Sequence, residues 1–527
     1  MHFARYLLGF SLGLSLFGCG GGGTSTTTTP VTTPPTAGNT TSWIQGSFAD
    51  SSVLQNMCEV PRVGNDPYNE NTPYPDKQGT ALQEKLWIRS YSHETYLWAD
   101  ELRDNDPRTY SSVLDYFNQL KTFATTESGK LKDQFHFSQP YDAYAKEAQS
   151  GLASGYGVNW AIINAIPPRE VRVAYTQTDS VGENAGLIRG DTILAVDGFD
   201  INDNTDEGVA ALNAGLAPKL NETHTFRVKT MLGEERDVTL LAQEVQQTPV
   251  QNAKVIPFNG KNVGYVQFNQ FISIAQPKLI EAINTFSSAQ IDALVLDMRY
   301  NGGGALALSS QLGYMVAGPG RTSNRIFNQA IDNGKGNLYK NDNQRISPFY
   351  NREINYSTYE FTANTLPNLD LDTVYILATG DTCSASESLI NGLRGVDVNV
   401  VLIGETTCGK PYGFFPTPNC GNVFYTIQFK SSNEKGFGDY ADGFSPSQSP
   451  SVATDVKGCV VADDFEHLLG SNDEALLSTA LSHISTGQCP TVAPKSPRQA
   501  PPLVSDGLPI RAPASILQSN AIYLPVK

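Results

Sequence analysis

Three short apolar runs constrain the second half of this chain more than any other feature: "IDALVLDMRY" (291–300), "TVYILATG" (373–380) and "VNVVLIG" (398–404). Each is rich in aliphatic and β-branched residues and is closed by turn residues, as a strand buried on both faces reads. A further strand, "NVGYVQFNQF" (262–271), and an amphipathic run, "AQPKLIEAINTFSS" (275–288), precede them. Strands separated by helices predict an α/β layer, here over residues 249–490.

Upstream the pattern changes. Residues 151–248 hold "GYGVNWAII", "EVRVAYTQ", "DTILAVDG", "THTFRVKTML" and "RDVTLLAQEV", β-rich runs separated by turn residues. Residues 50–150 read as a helical domain. Leu82, Leu86, Ile88, Tyr91, Tyr96 and Leu97 recur at near-helical spacing in 79–102, and Val113, Tyr116, Phe117 and Leu120 share a face in 110–124. The aromatic stripe reads as core packing in preference to a ligand groove. The expected fold class is therefore multidomain α+β: helical, then β, then an α/β core.

The two ends are not fold. "MHFARYLLGFSLGLSLFGC" has a basic start, an apolar run and a small residue before Cys19, the pattern of a secretory leader over 1–18. "LFGC", Leu16 to Cys19, resembles a bacterial lipobox. That resemblance implies cleavage before Cys19 and a lipid on its thiol, hence a membrane partner and a location on the bacterial cell envelope. With Gly20 next, outer-membrane sorting in a Gram-negative host is compatible; an ordinary cleaved leader is the alternative. Residues 19–49 are a Gly/Thr/Pro tract that reads as a flexible tether, and 491–527 form a Pro-rich tail. The net charge of −16, with no Lys/Arg cluster, excludes nucleic acid as the partner. Setting Cys19 aside leaves six cysteines, an even number that fits disulfides in an exported chain. Cys408 with Cys420 and Cys459 with Cys489 are the expected pairs. There is no CxxC pair, so no zinc site is expected, and nothing calls for a cofactor.

Chemistry concentrates where the apolar runs end. "TGDTCSASESLINGLRG" (379–395) puts Thr382, Cys383, Ser384 and Ser386 in a strand-to-helix turn. Such a turn exposes and fixes a nucleophile, and a helix start adds N–H donors and a positive dipole end. Ser384 three residues before Glu387 also reads as a capping box, the better reading of these residues taken alone. Two neighbours shift the balance. "LIGETTCGKPYG" places Lys410 after the next strand, where desolvation can lower its pKa enough for it to act as a base. "LVLDMRYNGGG" ends in Gly302 to Gly304, bare backbone able to offer N–H groups to an oxyanion. None of the six histidines lies near this turn in sequence.

Two resemblances follow from these segments. "SVGENAGLIRGDTILAVDGFDI" (180–201) resembles the core signature of a PDZ domain, in which "AGL" (185–187) begins a helix and "GDTILAVDG" is a strand and turn. It implies a PDZ-like domain over 151–248. The loop 154–160 would then hold a peptide's C-terminal carboxylate on the backbone of Tyr156, Gly157 and Val158, while the peptide adds a strand to the sheet edge. "DMRYNGGG", "CSASESLINGL" and "GETTCGKPYG", in that order, resemble the signature blocks of the C-terminal processing peptidases, or tail-specific proteases. The resemblance implies a crotonase/ClpP-like catalytic core and a Ser–Lys dyad: Ser384 as nucleophile, Lys410 as general base, and the N–H groups of Gly303 and Ala385 as the oxyanion hole. Partners would be proteins or peptides with free C-termini.

The chain departs from that pattern at three places. Phe414 stands where many members have a Gln that orients the Lys, leaving packing, Glu405 or Glu387 to do so. Pro411 follows Lys410, and Cys383 and Cys408 flank the dyad. The alternative function is a PDZ-bearing scaffold with an inactive core. An esterase or crotonase-like acyl transferase ranks behind it, lacking a basic patch for a nucleotide.

Overall fold

A computed structural model describes residues 41–490 except 70, 127, 337 and 340. The expected leader, Cys19, most of the tether and the Pro-rich tail lie outside the described residues. The fold is mixed α and β throughout. Near its start, helix α1 (Ala81–Thr95) is capped by the Thr80 hydroxyl. It buries Leu86, Trp87 and Ile88 against Tyr116, Phe117 and Leu120. These side chains form a core, as the stripe predicts. The second expected helix is shorter than 110–124: it runs only Val113–Phe117, and the chain then turns so that Thr122 N–H reaches the Tyr96 hydroxyl at 2.9 Å. Helix α2 (Tyr141–Ser150) ends on Gly151 in the left-handed conformation.

Next comes an antiparallel sheet built from β1 (Val158–Asn164), β2 (Glu170–Thr176), β3 (Thr192–Val196), β4 (Thr223–Lys229) and β5 (Glu235–Leu241), in the order β5-β4-β3-β2-β1. Helix α3 (Asp206–Leu216) packs on it through Leu212 and Leu216, against Val196 and Phe226. Strand β1 is the sheet's edge. One expectation fails here. The helix near "AGL" does not begin at Ala185; it spans Val181–Asn184 and ends there, because Ser180 supplies the cap to Glu183 N–H and Gly186 takes a positive φ.

The second sheet holds the chemistry. Its strands are β6 (Val250–Phe258), β7 (Lys261–Phe268), β8 (Ala293–Asp297), β9 (Thr373–Ala378), β10 (Asn399–Gly404), β11 (Ser445–Ser447) and β12 (Asp455–Val460), in the order β6-β7-β8-β9-β10-β12-β11. All neighbours are parallel except β6 with β7. On one face Leu294, Leu296, Ile376 and Leu402 pack against helices α4 (Ala275–Ser288), α5 (Leu306–Thr322) and α6 (Ala385–Gly395). On the other, Val295, Tyr375, Leu377 and Ile403 pack against α7 (Ala475–Thr486). Both faces are covered, which is why these strands read as unbroken apolar runs instead of alternating ones.

Three disulfides cross the fold: Cys58–Cys420, Cys383–Cys408 and Cys459–Cys489. The last is the expected pair. The expected Cys408–Cys420 bond is not formed. Cys420 sits in the turn of a hairpin, Thr417–Asn419 to Asn422–Tyr425, whose second strand pairs with Phe137–Pro140, and this carries it to Cys58. Among the described residues no helix is long and apolar enough to cross a membrane.

Candidate active site

The turns after β8, β9 and β10 lie side by side at the carboxyl ends of parallel strands, the edge where open α/β sheets hold their ligands. The middle turn explains its own hydroxyls. Thr382 Oγ1 donates to Met298 O at 2.9 Å, Thr379 Oγ1 to Arg299 O, and Ser386 Oγ to Asn301 O at 2.9 Å. These bonds fasten the turn to the 298–301 segment beside it. Ser384 makes no such bond to that segment among the described residues, and its backbone is at φ 55°, ψ −111°. A non-glycine residue in that region is strained, and such strain collects at functional positions. Ser384 is 5% exposed.

Glu387, in the first turn of α6, explains how the turns are joined. Its carboxyl is fully buried. Oε2 accepts the backbone N–H of Ser384 at 3.0 Å and of Lys410 at 2.8 Å; Oε1 accepts Gly409 N–H at 2.9 Å and Thr407 Oγ1 at 2.5 Å. Four donors and no acceptor around it is the environment of a carboxylate. Burial pushes its pKa up, and those same bonds oppose the rise. The capping box read from the sequence is present: Glu387 reaches back to Ser384 N–H, and the Ser384 side chain faces the Glu387 backbone. The Cys383–Cys408 disulfide ties the same two turns a second time.

Lys410 is 1% exposed, and its ammonium makes no ion pair within 4.0 Å among the described residues. Its Nζ lies 4.3 Å from the centroid of Phe414 and 5.0 Å from that of Phe135. Desolvation drops its pKa from 10.5 to about 7, with Asp133 and Glu387 pulling the other way. Phe414, standing where many members of the resembled family have a Gln, thus packs against the amine. Glu387 bonds the Lys410 backbone, not its side chain. Sequence reasoning missed Asp133 and Phe135. Asp133 is fully buried, accepting from Tyr96 Oη at 2.7 Å and Phe135 N–H at 3.0 Å. No local signal in the sequence links this segment to the β10 turn.

The glycine turn is pressed against Ser384. A Cβ on Gly303, at φ 110°, would meet Ser384 Cβ at 2.8 Å and Ala385 N at 2.9 Å. The Ala385 N–H has no acceptor among the described residues, but Gly303 N–H donates to Asn301 Oδ1 at 2.9 Å. Behind the turn, Arg299 is buried among Asp297, Asp463 and Glu474. Arg189, from the loop between β2 and β3, joins this network through Tyr300 Oη at 2.6 Å and Asp463 at 2.7 Å. Burial raises the Asp463 pKa, yet the two arginines outweigh it and hold the carboxyl at about 2.

A cavity of about 260 Å³ runs from the end of α3 to the glycine turn, lined by Tyr156, Gly157, Leu216, Pro218, Gly302 and Gly303. Tyr156 O and Gly157 O face inward, accepting from Gly182 and Gln177 at 2.8 and 2.7 Å. The N–H groups of Tyr156 and Gly157 have no acceptor among the described residues, and Val158 opens the edge strand β1. Two groupings bring three Cys/Glu donor atoms within 4.8 Å of one another, Cys58–Glu84–Cys420 and Cys383–Glu387–Cys408. In both the sulfurs are bonded to each other, which removes the thiolates a metal needs.

Residues 262–427 match the model of peptidase family S41, and residues 83–138 match that of the peptidase S41 N-terminal domain. Both segments are thus similar to S41 peptidases. The first S41 match takes in Gly303, Ser384 and Lys410; the second takes in Asp133 and Phe135. A carboxyl-terminal-processing protease of Picosynechococcus sp. is 30% identical over 286 residues, 54% of this chain and 61% of that protein. One of Synechocystis sp. is 28% identical over 262 residues, 50% of this chain and 54% of that protein. The chain therefore aligns with a little over half the length of these two relatives. A crystal structure of a candidate S41 protease from Bacteroides fragilis shares the fold at a TM-score of 0.57 and 22% identity, covering 79% of this chain and 98% of that one.

Proposed function

We propose that this chain is a serine endopeptidase that engages proteins near their free C-termini and cleaves them through a Ser384–Lys410 dyad. One observation carries the reading: a single oxygen, Glu387 Oε2, bonds the backbone of both Ser384 and Lys410. It ties the backbone of strained Ser384 to that of Lys410, whose amine desolvation has brought near neutrality. The α/β sheet with its helices is read as the crotonase/ClpP-like core, and the antiparallel sheet as PDZ-like.

In this reading a substrate's C-terminal carboxylate sits on the N–H groups of Tyr156, Gly157 and Val158, and its last residues extend edge strand β1. The cavity leads from there to Gly303. Neutral Lys410 takes the Ser384 proton as Oγ attacks the peptide carbonyl. Ala385 N–H stabilises the oxyanion at once. Gly303 N–H must first release Asn301 Oδ1, so the glycine turn relaxes as substrate enters. Lys410 then protonates the leaving amine, breaking the C–N bond and leaving an acyl-enzyme. Water, losing a proton to Lys410, then attacks the acyl carbon; the C–Oγ bond breaks, Lys410 returns the proton to Ser384 Oγ, and the acyl group leaves as a carboxylic acid that ionises in water. Three disulfides fit an oxidising compartment, in keeping with a lipid anchor at Cys19 and protein substrates of the cell envelope.

The test is cleavage of an unfolded protein by the wild type, Ser384→Ala and Lys410→Ala, each checked for folding. Loss in both variants supports the dyad. Cleavage surviving in Ser384→Ala removes the assigned nucleophile, and no cleavage by the wild type, with or without a C-terminal peptide, favours the scaffold.

A further inference from the structure

We propose that the Cys383–Cys408 disulfide is a positioning element for the dyad, so that hydrolysis, but not folding, depends on the oxidation state of this one bond. The inference rests on the Ser384–Lys410 reading. Cys383 immediately precedes Ser384, and Cys408 stands two residues before Lys410. The bond thus joins the turn that carries the nucleophile to the turn that carries the base. Neither turn has regular structure of its own there: β9 ends at Ala378 and β10 at Gly404. Other ties between them among the described residues are the hydrogen bonds of Glu387, that of Thr382 O, which accepts Cys408 N–H at 3.1 Å, and, at their start, Glu405 N–H to Ala378 O at 3.0 Å. Glu387 sits under the disulfide, Oε2 lying 3.4 Å from Cys408 Sγ.

The consequences separate this bond from the other two. Cys58–Cys420 and Cys459–Cys489 lie outside these turns, and the latter packs in the core under α7. Opening Cys383–Cys408 leaves both sheets and their cores intact but frees the base loop to shift against Ser384. A displacement of about 1 Å at reacting groups costs roughly a hundredfold in rate. Cys383 is sealed, while Cys408 is part-exposed and is the sulfur a reductant reaches. With dithiothreitol, one thiolate attacks Cys408 Sγ and displaces Cys383 as thiolate. The second thiol closes the oxidised ring and releases Cys408; the protein gains two electrons and two protons. The chain is then idle in a reducing compartment and becomes active once the bond forms in an oxidising one.

The experiment compares the wild-type chain with Cys383→Ala/Cys408→Ala and with Cys459→Ala/Cys489→Ala. It measures kcat, KM and the pH profile on a peptide substrate before and after dithiothreitol, with mass spectrometry of alkylated peptides to report which bonds have opened. The expected result is a 10- to 100-fold fall in wild-type kcat on reduction, KM within about threefold, and recovery on reoxidation. The acid limb of the profile moves to higher pH as water reaches Lys410. The Cys383/Cys408 variant starts low and ignores reductant; the Cys459/Cys489 variant keeps wild-type kcat and the wild-type response. Wild-type kcat in the Cys383/Cys408 variant, or no loss when both thiols are shown to be free, overturns the proposal. If the variant does not fold, the reduction arm on wild type decides alone. Ser384→Ala run alongside separates the two readings: if it hydrolyses, the dyad falls, and if it is dead while the Cys383/Cys408 variant is fully active, only the disulfide inference falls.

Discussion

Replacing Lys410 by Met is predicted to stabilise the fold while abolishing catalysis. The amine is 1% exposed, and desolvation drops its pKa from 10.5 to about 7. At 1.36 kcal/mol per pKa step, that fall corresponds to roughly 5 kcal/mol of strain placed on the folded state. The sign follows from proton counts. Below pH 7 both folded and unfolded chains hold the proton, and the full penalty applies. Between pH 7 and 10.5 only the unfolded chain holds it, so wild-type stability rises with pH. Above 10.5 the penalty is gone. Met fills a similar volume and offers its sulfur to Phe135 and Phe414. Relaxation and water entry reduce such penalties in practice, so we expect Lys410→Met to be about 2–4 kcal/mol more stable than wild type at pH 6 by denaturant unfolding. That gap should close towards pH 10. Wild-type activity should rise with pH through a midpoint near 7, with the variant at least about a hundredfold lower. A variant no more stable than wild type at pH 6, or a gap indifferent to pH, would refute the claim that Lys410 is a buried amine held near neutrality.

Asp133→Asn removes a negative charge that raises the Lys410 pKa. The acid limb of the pH–rate profile is expected to move to lower pH by about half a unit or more; an unmoved limb would show that Asp133 acts on the fold alone. Gly303→Ala places a Cβ 2.8 Å from Ser384 Cβ at a φ of 110°. Its kcat should fall by about a hundredfold or more while KM changes little, read from steady-state kinetics. Arg189→Met breaks the buried contact with Asp463 and Tyr300. A loss of about 3 kcal/mol in unfolding free energy is expected, against almost none for the exposed Lys278→Met. A fluorescent C-terminal peptide should lose at least about tenfold in affinity when its carboxylate is amidated, because neutral amides gain little from the free N–H groups of Tyr156 and Gly157; equal affinities would remove the proposed carboxylate loop.

Much of the site was legible because its signals are local. Apolar runs closed by glycine or hydroxyl turns located β8, β9 and β10, and their turns carry Gly303, Ser384 and Lys410 as the ordered blocks imply. What was not legible depends on distance along the chain. Cys420 lies close to Cys408 in sequence, yet hairpin pairing with Phe137–Pro140 takes it to Cys58, a separation of 362 residues. Asp133 and Phe135 reach Lys410 from a segment whose composition marks neither as part of a site. The helix beside Ala185 was placed on the wrong side of "AGL" because a Ser cap and a Gly stop, each a local signal, were read through a family pattern instead.

The hydroxyl-rich turn shows how one stretch supports two readings until the neighbouring strand is in place. Alone, Ser384 and Glu387 form a helix start, and capping accounts for both. In the folded chain Glu387 keeps the capping bond to Ser384 N–H and takes three more from the β10 turn, so it is no longer only a cap. Thr379, Thr382 and Ser386 spend their hydroxyls on carbonyls of the β8 turn. Ser384 is left with a strained backbone and no hydroxyl bond to the β8 turn among the described residues. Strain of that kind costs about 1–3 kcal/mol and persists only where surrounding structure over-determines it. Two ties from Glu387 and the disulfide, and three from the hydroxyls, supply that over-determination. A serine kept only as a cap needs none of it, since a cap with ordinary extended backbone, such as Thr80 before α1, forms from its own side chain alone.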